Sequence, residues 1–212
     1  MALLAFPAGV AVGLRDGGSG GDEASAPVPL ATGLSDTQLV GQRLIAGFSG
    51  TSPPRGLERM IERGRLAGVI LFAENVDGAA ATRRLTRGLQ RIDRPDGLRM
   101  PLAVMVDQEG GLVERLDGPP SRSAEQMGDA GRAEARRQGR ATARNLRRHG
   151  INVDLAPVLD VGRRGGAIET EGRSFGRTPA RVIETGVDGF AAGLRDGGVA
   201  TTAKHFPGLG AA

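Results

Sequence analysis

Short apolar runs alternate along this chain with helical stretches, and that alternation constrains the fold more than any other feature. Gly68 to Phe72 (GVILF) and Leu102 to Val106 (LAVMV) carry no polar side chain. Runs of this length, bounded by turn residues, read as strands buried on both faces. Leu44 to Phe48, Asn152 to Leu155 and Val199 to Ala203 read as further strands. Helical stretches lie between them at Leu57 to Arg65, Ala79 to Arg91, Arg132 to His149 and Ala180 to Asp196. The last of these puts Ile183, Val187, Phe190 and Leu194 on one face at helical spacing. Ser35 is placed to cap a shorter helix running to Val40 or Gln42. Strand, loop and helix in alternation imply parallel strands with helical crossovers. The segments after the strands, 107–127 and 156–175, are long and polar, whereas those before them are short and glycine-rich. A (β/α)8 TIM-type barrel has that asymmetry, with its site on the carboxyl-end face. About five strand–helix units are present where a closed barrel takes about eight, so the expected fold is an incomplete barrel of the α/β class. The alternative is a doubly wound open sheet, but its GxGxxG phosphate loop is absent.

Composition narrows the chemistry. The chain has no cysteine, which excludes disulfides, zinc–thiolate sites, a thiol nucleophile and a lipidated cysteine for these 212 residues. Its two histidines, His149 and His205, cannot form a multi-histidine metal site, and no cofactor is implied. His149 follows a basic helix end and precedes Gly150, as a C-terminal capping residue does. Net charge is +4 and the charges are mixed, with no basic block interleaved with aromatics, which argues against nucleic acid. Met1 to Leu14 is apolar and uncharged, too short for a usual membrane span, and reads as the remnant of a signal or anchor. Arg15 to Gly33 has linker composition, so residues 34–212 are expected to be the folded part, in an exported protein, tethered or secreted, rather than a cytoplasmic one.

Three loops present polar groups at strand ends. Asp107-Gln108-Glu109-Gly110-Gly111 follows LAVMV directly, with Arg115 further along. A carboxylate at the end of a buried strand must be paired or hydrogen-bonded, and Gly110-Gly111 would let backbone approach a ligand closely. The second loop holds Glu169, Glu171 and Arg173, whose guanidinium is a rigid multi-donor fork. The third begins at Lys204, the chain's only lysine, with His205 beside it before the Phe206-Pro207-Gly208 turn. A chain that otherwise uses arginine has a reason to place the compact ammonium of lysine here. Asp107 with Glu109, or Asp154 with Asp160, could suggest an acid/base pair. Alternate residues of an extended segment point to opposite faces, however, and Asp154 and Asp160 flank an Ala-Pro-Val turn that they would buttress.

GVILFAENV, VDQEGG with Arg115 after it, GINVDLAPVLDV, GRSFG and KHFPG occur in that order. Together they closely resemble glycoside hydrolase family 3, in the branch of bacterial β-N-acetylhexosaminidases that act on N-acetylglucosamine-containing cell-wall fragments. The resemblance runs from about Leu34 to Gly210. It implies a (β/α)8 barrel, a carbohydrate substrate and no obligatory protein partner. It also implies sugar binding by Asp107 as acceptor and by Arg115, Arg173, Lys204 and His205 as donors. The family's usual KHFPGHGD is KHFPGLGAA here, so Leu209 stands in place of a polar residue. The resemblance puts the acid/base histidine, its partner aspartate and the nucleophilic aspartate of a retaining mechanism beyond Ala212, leaving no catalytic residue within this chain. A β-glucosidase or glycoside phosphorylase of the same family, or a non-catalytic sugar-binding protein, is the alternative.

Overall fold

The computed structural model describes residues 3–5 and 33–209. Most of the apolar N-terminal stretch and of the linker lies outside the described residues. Within the stretch, β1 (Leu3–Ala5) pairs antiparallel with β2 (Leu44–Ala46), Leu3 opposite Ala46, an edge strand the sequence analysis did not include. From β2 onward the sheet is parallel and runs in chain order through β3 (Gly68–Ile70), β4 (Ala103–Val106), β5 (Val153–Asp154) and β6 (Ala200–Thr201). The register pairs Val69 with Val104, Val106 with Asp154 and Asp154 with Thr201. All five expected strands are present, each shorter than its apolar run.

The two faces of this sheet differ. Side chains alternate across a strand, so Ala46, Val69, Val104 and Val106 share one face with Leu71. That face buries Ile61, Leu89, Leu146, Phe190 and Leu194 from the helices in one core. The other face carries a separate small cluster of Ile45, Ile70 and Leu155, with no buried helical residue in it. Helices on one face and strands in chain order are not a doubly wound arrangement, in which strand order reverses and helices cover both faces.

Local sequence explains most of the helices. Ser35 caps α1 (Asp36–Gly41): its hydroxyl accepts from the Gln38 amide while Gln38 Oε1 accepts from the Ser35 amide at 2.9 Å, a reciprocal capping box. The next helix, α2 (Arg55–Glu62), starts after Pro54 and buries Leu57 and Ile61. Behind β3, a short turn at Ala73–Asn75 leads to α3 (Gly78–Gln90), which buries Leu85 and Leu89. Within the expected loop 107–127 and beyond it lies α4 (Ala124–Ala130), opened by a Ser123–Gln126 capping box. The basic helix α5 (Arg132–Arg148) ends at His149, whose Nδ1 lies 2.9 Å from the Asn145 carbonyl as the capping expectation requires. A short α6 (Ala167–Thr170) interrupts the next loop. Then α7 (Pro179–Val182) continues through a π-helical stretch, Ile183–Ala191, into α8 (Ala192–Asp196).

That last helix corrects one expectation. Phe190 and Leu194 are fully buried, but Ile183 is 53% exposed and Val187 only half-buried. The wider π turn rotates successive residues away from 3.6-residue spacing. Backbone, rather than a stripe of large side chains, makes the contact with α5. A Cβ on Gly139 would lie 2.2 Å from the Phe190 carbonyl oxygen, and one on Gly193 would lie 2.3 Å from that of Arg136.

Candidate functional site

The carboxyl ends of β4, β5 and β6 stand side by side, and the predicted polar residues extend from them. Lys204 sits three residues past β6, where it bridges in parallel to Val158, and its carbonyl accepts the Leu159 amide at 2.7 Å. This places Nζ 2.6 Å from Asp107 Oδ1 and 2.6 Å from Glu109 Oε1. One ammonium thus joins two carboxylates from the loop after β4. Arg173 grips Glu109 with both arms of its fork, Nε to Oε2 at 2.8 Å and Nη2 to Oε1 at 2.9 Å, while Nη1 donates to Glu171 at 3.0 Å. Arg115 Nη2 lies 3.7 Å from Asp107 Oδ2. Asp107, Arg115, Arg173 and Lys204 therefore form one connected cluster, with Glu109 at its centre.

Glu109 corrects the alternation argument. It does not face away from Asp107, because the chain leaves strand geometry after Val106 and turns at Gly110 (φ +91°) and Gly111 (φ +69°). The Glu109 amide then donates to the Val113 carbonyl at 3.0 Å, folding the loop back on itself. The glycine pair, expected to admit a ligand, admits the chain's own backbone instead. A Cβ on Gly110 would lie 2.3 Å from the Arg122 carbonyl oxygen.

Gln108, between the two carboxylates, is fully buried and was not anticipated as a site residue. Its Oε1 accepts from the Arg115 and Leu116 amides at 2.9 and 3.0 Å, and its Nε2 donates to the Leu116 and Pro119 carbonyls at 2.9 and 3.3 Å. Its own amide donates to Asp154 at 3.0 Å. Asn75 does similar work one strand earlier. It accepts from the Phe72 amide at 2.7 Å and donates to the Phe48 and Gly50 carbonyls at 2.8 and 2.7 Å, clasping the loops after β2 and β3.

His205 stands next to the cluster and is held by a different acid. Its amide and Nδ1 both meet Asp160 Oδ2, at 3.1 and 2.7 Å, and the Leu209 amide donates to Asp160 Oδ1 at 2.7 Å. Asp160 thus buttresses the turn through 205–209 rather than the Ala-Pro-Val turn it was expected to hold. Lys204, His205 and Asp160 line a cavity of about 390 Å³. Glu169 does not join the cluster; it pairs with Arg177 and accepts the Gly165 amide.

Electrostatics follow from these contacts. Burial pushes the Glu109 carboxyl up, but the Arg173 fork and the Lys204 ammonium outweigh it and hold Glu109 below the usual carboxylate range. Glu109 raises Arg173 in return, keeping it charged. Asp160 is likewise pushed up by burial and brought below its usual value by His205 and the Leu209 amide. Asp154, fully buried, is pushed well above the ordinary carboxylate range by desolvation.

Lys204, Arg173 and Arg115 match Asp107, Glu109 and Glu171 charge for charge. The cluster is balanced, yet it retains hydrogen-bonding capacity. Lys204 has three N–H donors, two of them directed at carboxylates. Arg115 Nε is buried and has no partner among the described residues. A charge-balanced site with spare donors and acceptors suits an uncharged, polyhydroxylated ligand. Among the described residues no group of histidine, aspartate and glutamate has the geometry to hold a metal.

Residues 38–212 match the family described as the glycosyl hydrolase family 3 N terminal domain. The chain belongs to glycosyl hydrolase family 3. An uncharacterized secreted glycosyl hydrolase of Arthroderma benhamiae is 39% identical over 176 residues, covering 81% of this chain and 49% of that protein. Beta-hexosaminidase A of Pseudoalteromonas piscicida is 32% identical over 209 residues, covering 88% of this chain and 34% of the relative. Among solved structures, a family 3 β-N-acetylglucosaminidase from Paenibacillus sp. str. FPU-7 superposes with a TM-score of 0.74 at 34% identity, over 82% of this chain and 34% of that one. NagZ from Neisseria gonorrhoeae, in complex with N-trifluoroacetyl-D-glucosamine, gives 0.68 at 28% identity, over 78% and 50%. This family 3 chain spans about half, or less, of the length of the relatives it matches. Glycoside hydrolysis is the activity of the family, and its α/β fold with a five-stranded parallel sheet agrees with the match.

Proposed function

We propose that this chain is the sugar-binding part of a retaining β-N-acetylhexosaminidase that removes terminal β-linked N-acetylglucosamine from cell-wall-type glycans. The observation that carries the proposal is the balanced Asp107–Lys204–Glu109–Arg173 cluster at the carboxyl ends of parallel strands. Barrel enzymes build their sites on that face. The chain-order sheet with helices on one face supports reading β2 to β6 as five of about eight strands of a (β/α)8 barrel. Relatives named beta-hexosaminidase support the substrate class, and the secreted fungal relative supports an extracytoplasmic place for the enzyme behind a 15–33 linker. No helix among the described residues is long and apolar enough to cross a membrane.

The geometry supports the following roles. Asp107 accepts from sugar hydroxyls through oxygen lone pairs left over by Lys204. The third Lys204 N–H, the terminal N–H groups of Arg115 and the two N–H groups that Arg173 does not spend on Glu109 and Glu171 donate. His205 presents Nε2. With Nδ1 against the Asp160 carboxylate, the proton sits on Nδ1, so neutral His205 accepts at Nε2 and donates there only as the imidazolium. A retaining mechanism further needs one group to attack the anomeric carbon and one to protonate the leaving oxygen. As the family resemblance implies, we assign both tasks to the part of a longer family 3 enzyme that this chain does not span.

The experiment compares the 212-residue chain with the whole protein on an aryl N-acetyl-β-glucosaminide, with N-acetylglucosamine binding by calorimetry alongside. Turnover by the whole protein only, preferring the N-acetylated over the plain glucoside, is the expected result. Steady turnover by the 212-residue chain, abolished by a substitution within it, would overturn the assignment.

A further inference from the structure

Asp154 is an acid of this region that neither a ligand-facing role nor an ion pair explains. It is the last residue of β5, paired with Val106 on one side and Thr201 on the other, and it is fully buried. Its Oδ1 accepts the Gln108 amide at 3.0 Å. Its Oδ2 has no partner among the described residues. A buried polar atom left unsatisfied in a native fold is rare and calls for a reason.

The role of Asp154 is read from its paired oxygen, which holds Gln108. The backbone of Gln108 separates Asp107 from Glu109, and its side chain holds the Arg115 and Leu116 amides. Anchoring the Gln108 amide therefore sets the path of the chain at the point where it leaves the strand. We propose that Asp154 is a positioning residue of the sugar site, acting through Gln108 to aim the Asp107 and Glu109 carboxylates at one Lys204 ammonium and to place Arg115. It touches neither sugar nor reacting atoms. The proposal rests on the sugar-site reading given above.

The charge state of Asp154 serves this role. The charged groups facing it are Lys204 beyond β6 and Asp107 and Glu109 beyond β4. Burial and the two carboxylates disfavour its anion, while Lys204 favours it. Neutral Asp154 accepts the Gln108 amide without adding a negative charge to a balanced cluster. Ionised, it would compete with Asp107 and Glu109 for Lys204 and repel both.

The test uses the whole protein, with N-acetylglucosamine as the probe. Affinity by calorimetry and sugar-free melting temperature are measured for wild type, Asp154→Asn and Asp154→Ala from about pH 6 to about pH 10. Asparagine keeps a neutral acceptor, so it should bind within about twofold of wild type at neutral pH, whereas alanine, which loses it, should bind at least about tenfold more weakly. The raised acidity constant gives the sign of the pH effect. Native Asp154 holds a proton that the unfolded chain releases near pH ~3.9, so wild-type stability falls as pH rises from there through the folded value. Wild type should therefore lose melting temperature relative to Asp154→Asn as pH rises. Should Asp154→Ala fail to fold, Asp154→Leu, which keeps the volume and likewise removes the acceptor for the Gln108 amide, takes its place: binding at least about tenfold weaker than wild type supports positioning, and binding within about twofold overturns it. Wild-type affinity in a folded alanine variant would also overturn it, as would about tenfold loss in Asp154→Asn at neutral pH. Absence of N-acetylglucosamine binding by wild type would sink the sugar-site reading instead, and the sugar-free melts would still report whether Asp154 is held neutral by the fold.

Discussion

Glu109→Gln is the perturbation that most directly probes the cluster. The Glu109 side chain is 3% exposed and meets two cations, Arg173 through a two-armed contact at 2.8 and 2.9 Å and Lys204 at 2.6 Å. Glutamine keeps the shape and creates no cavity, so the change isolates the charge. Removing one partner of a buried ion pair costs about 3–5 kcal/mol, because the remaining charge stays buried without compensation. The lower end, about 3 kcal/mol, applies here, since Arg173 retains Glu171 and Lys204 retains Asp107. At about 2–4 °C per kcal/mol for a chain of this size, the melting temperature should fall by about 6–12 °C at neutral pH. The pH dependence has a definite sign. Glu109 is held below its ordinary value, so its contribution is complete above the unfolded carboxyl value near pH ~4.3 and is lost as pH falls through the folded value. The gap between wild type and variant should therefore close in acid. The assay is thermal or urea unfolding from about pH 7 down to about pH 3. A variant that melts within about 1 °C of wild type at neutral pH, or a gap unchanged in acid, would refute the cluster's role in holding these loops.

Four further outcomes are expected. In the whole enzyme, Asp107→Ala should lower kcat/KM on an aryl N-acetyl-β-glucosaminide by about 10- to 100-fold, the effect of losing a charged acceptor worth about 1.5–3 kcal/mol; a surface substitution assayed in parallel should leave it unchanged. Gly139→Ala should destabilise by about 1–3 kcal/mol in urea unfolding, because its Cβ meets the Phe190 carbonyl. Gly88→Ala on exposed α3, where a Cβ meets nothing within 4 Å, should instead stabilise by about 0.4–1 kcal/mol. Asp160→Asn should loosen the 205–209 turn at a cost of about 1–2 kcal/mol, measured in the same way. Asp160 is also held below its ordinary value, so this cost should be present above pH ~3.9 and vanish as pH falls through the folded value.

The sequence by itself determined the elements and the end of the sheet that matters. GVILF and LAVMV are strands because runs that apolar are stable only when both faces are covered, and Asp107 follows β4 directly while Lys204 stands three residues past β6. Ordered motifs from GVILFAENV to KHFPG carried the family resemblance. The Ser123–Gln126 capping box is the signal that the reading of 107–127 as a loop passed over, and it marks α4, whose seven residues are too few for a persuasive apolar stripe. Ile183 could not be placed from periodicity, because it opens a π-helical stretch that departs from 3.6-residue spacing. The cluster itself was decided only in three dimensions. Asp107 and Lys204 are 97 residues apart and Glu109 and Arg173 are 64 apart, and no local propensity acts over such distances. Period-two alternation governs side chains only while the chain remains a strand, and after Val106 it is the turn at Gly110 and Gly111 that aims Glu109. Asp154 reads locally as one more turn-flanking acid. Its burial beneath Gln108 comes from the pairing of β4, β5 and β6, which removes water from the middle of the sheet and leaves the carboxyl to the Gln108 amide.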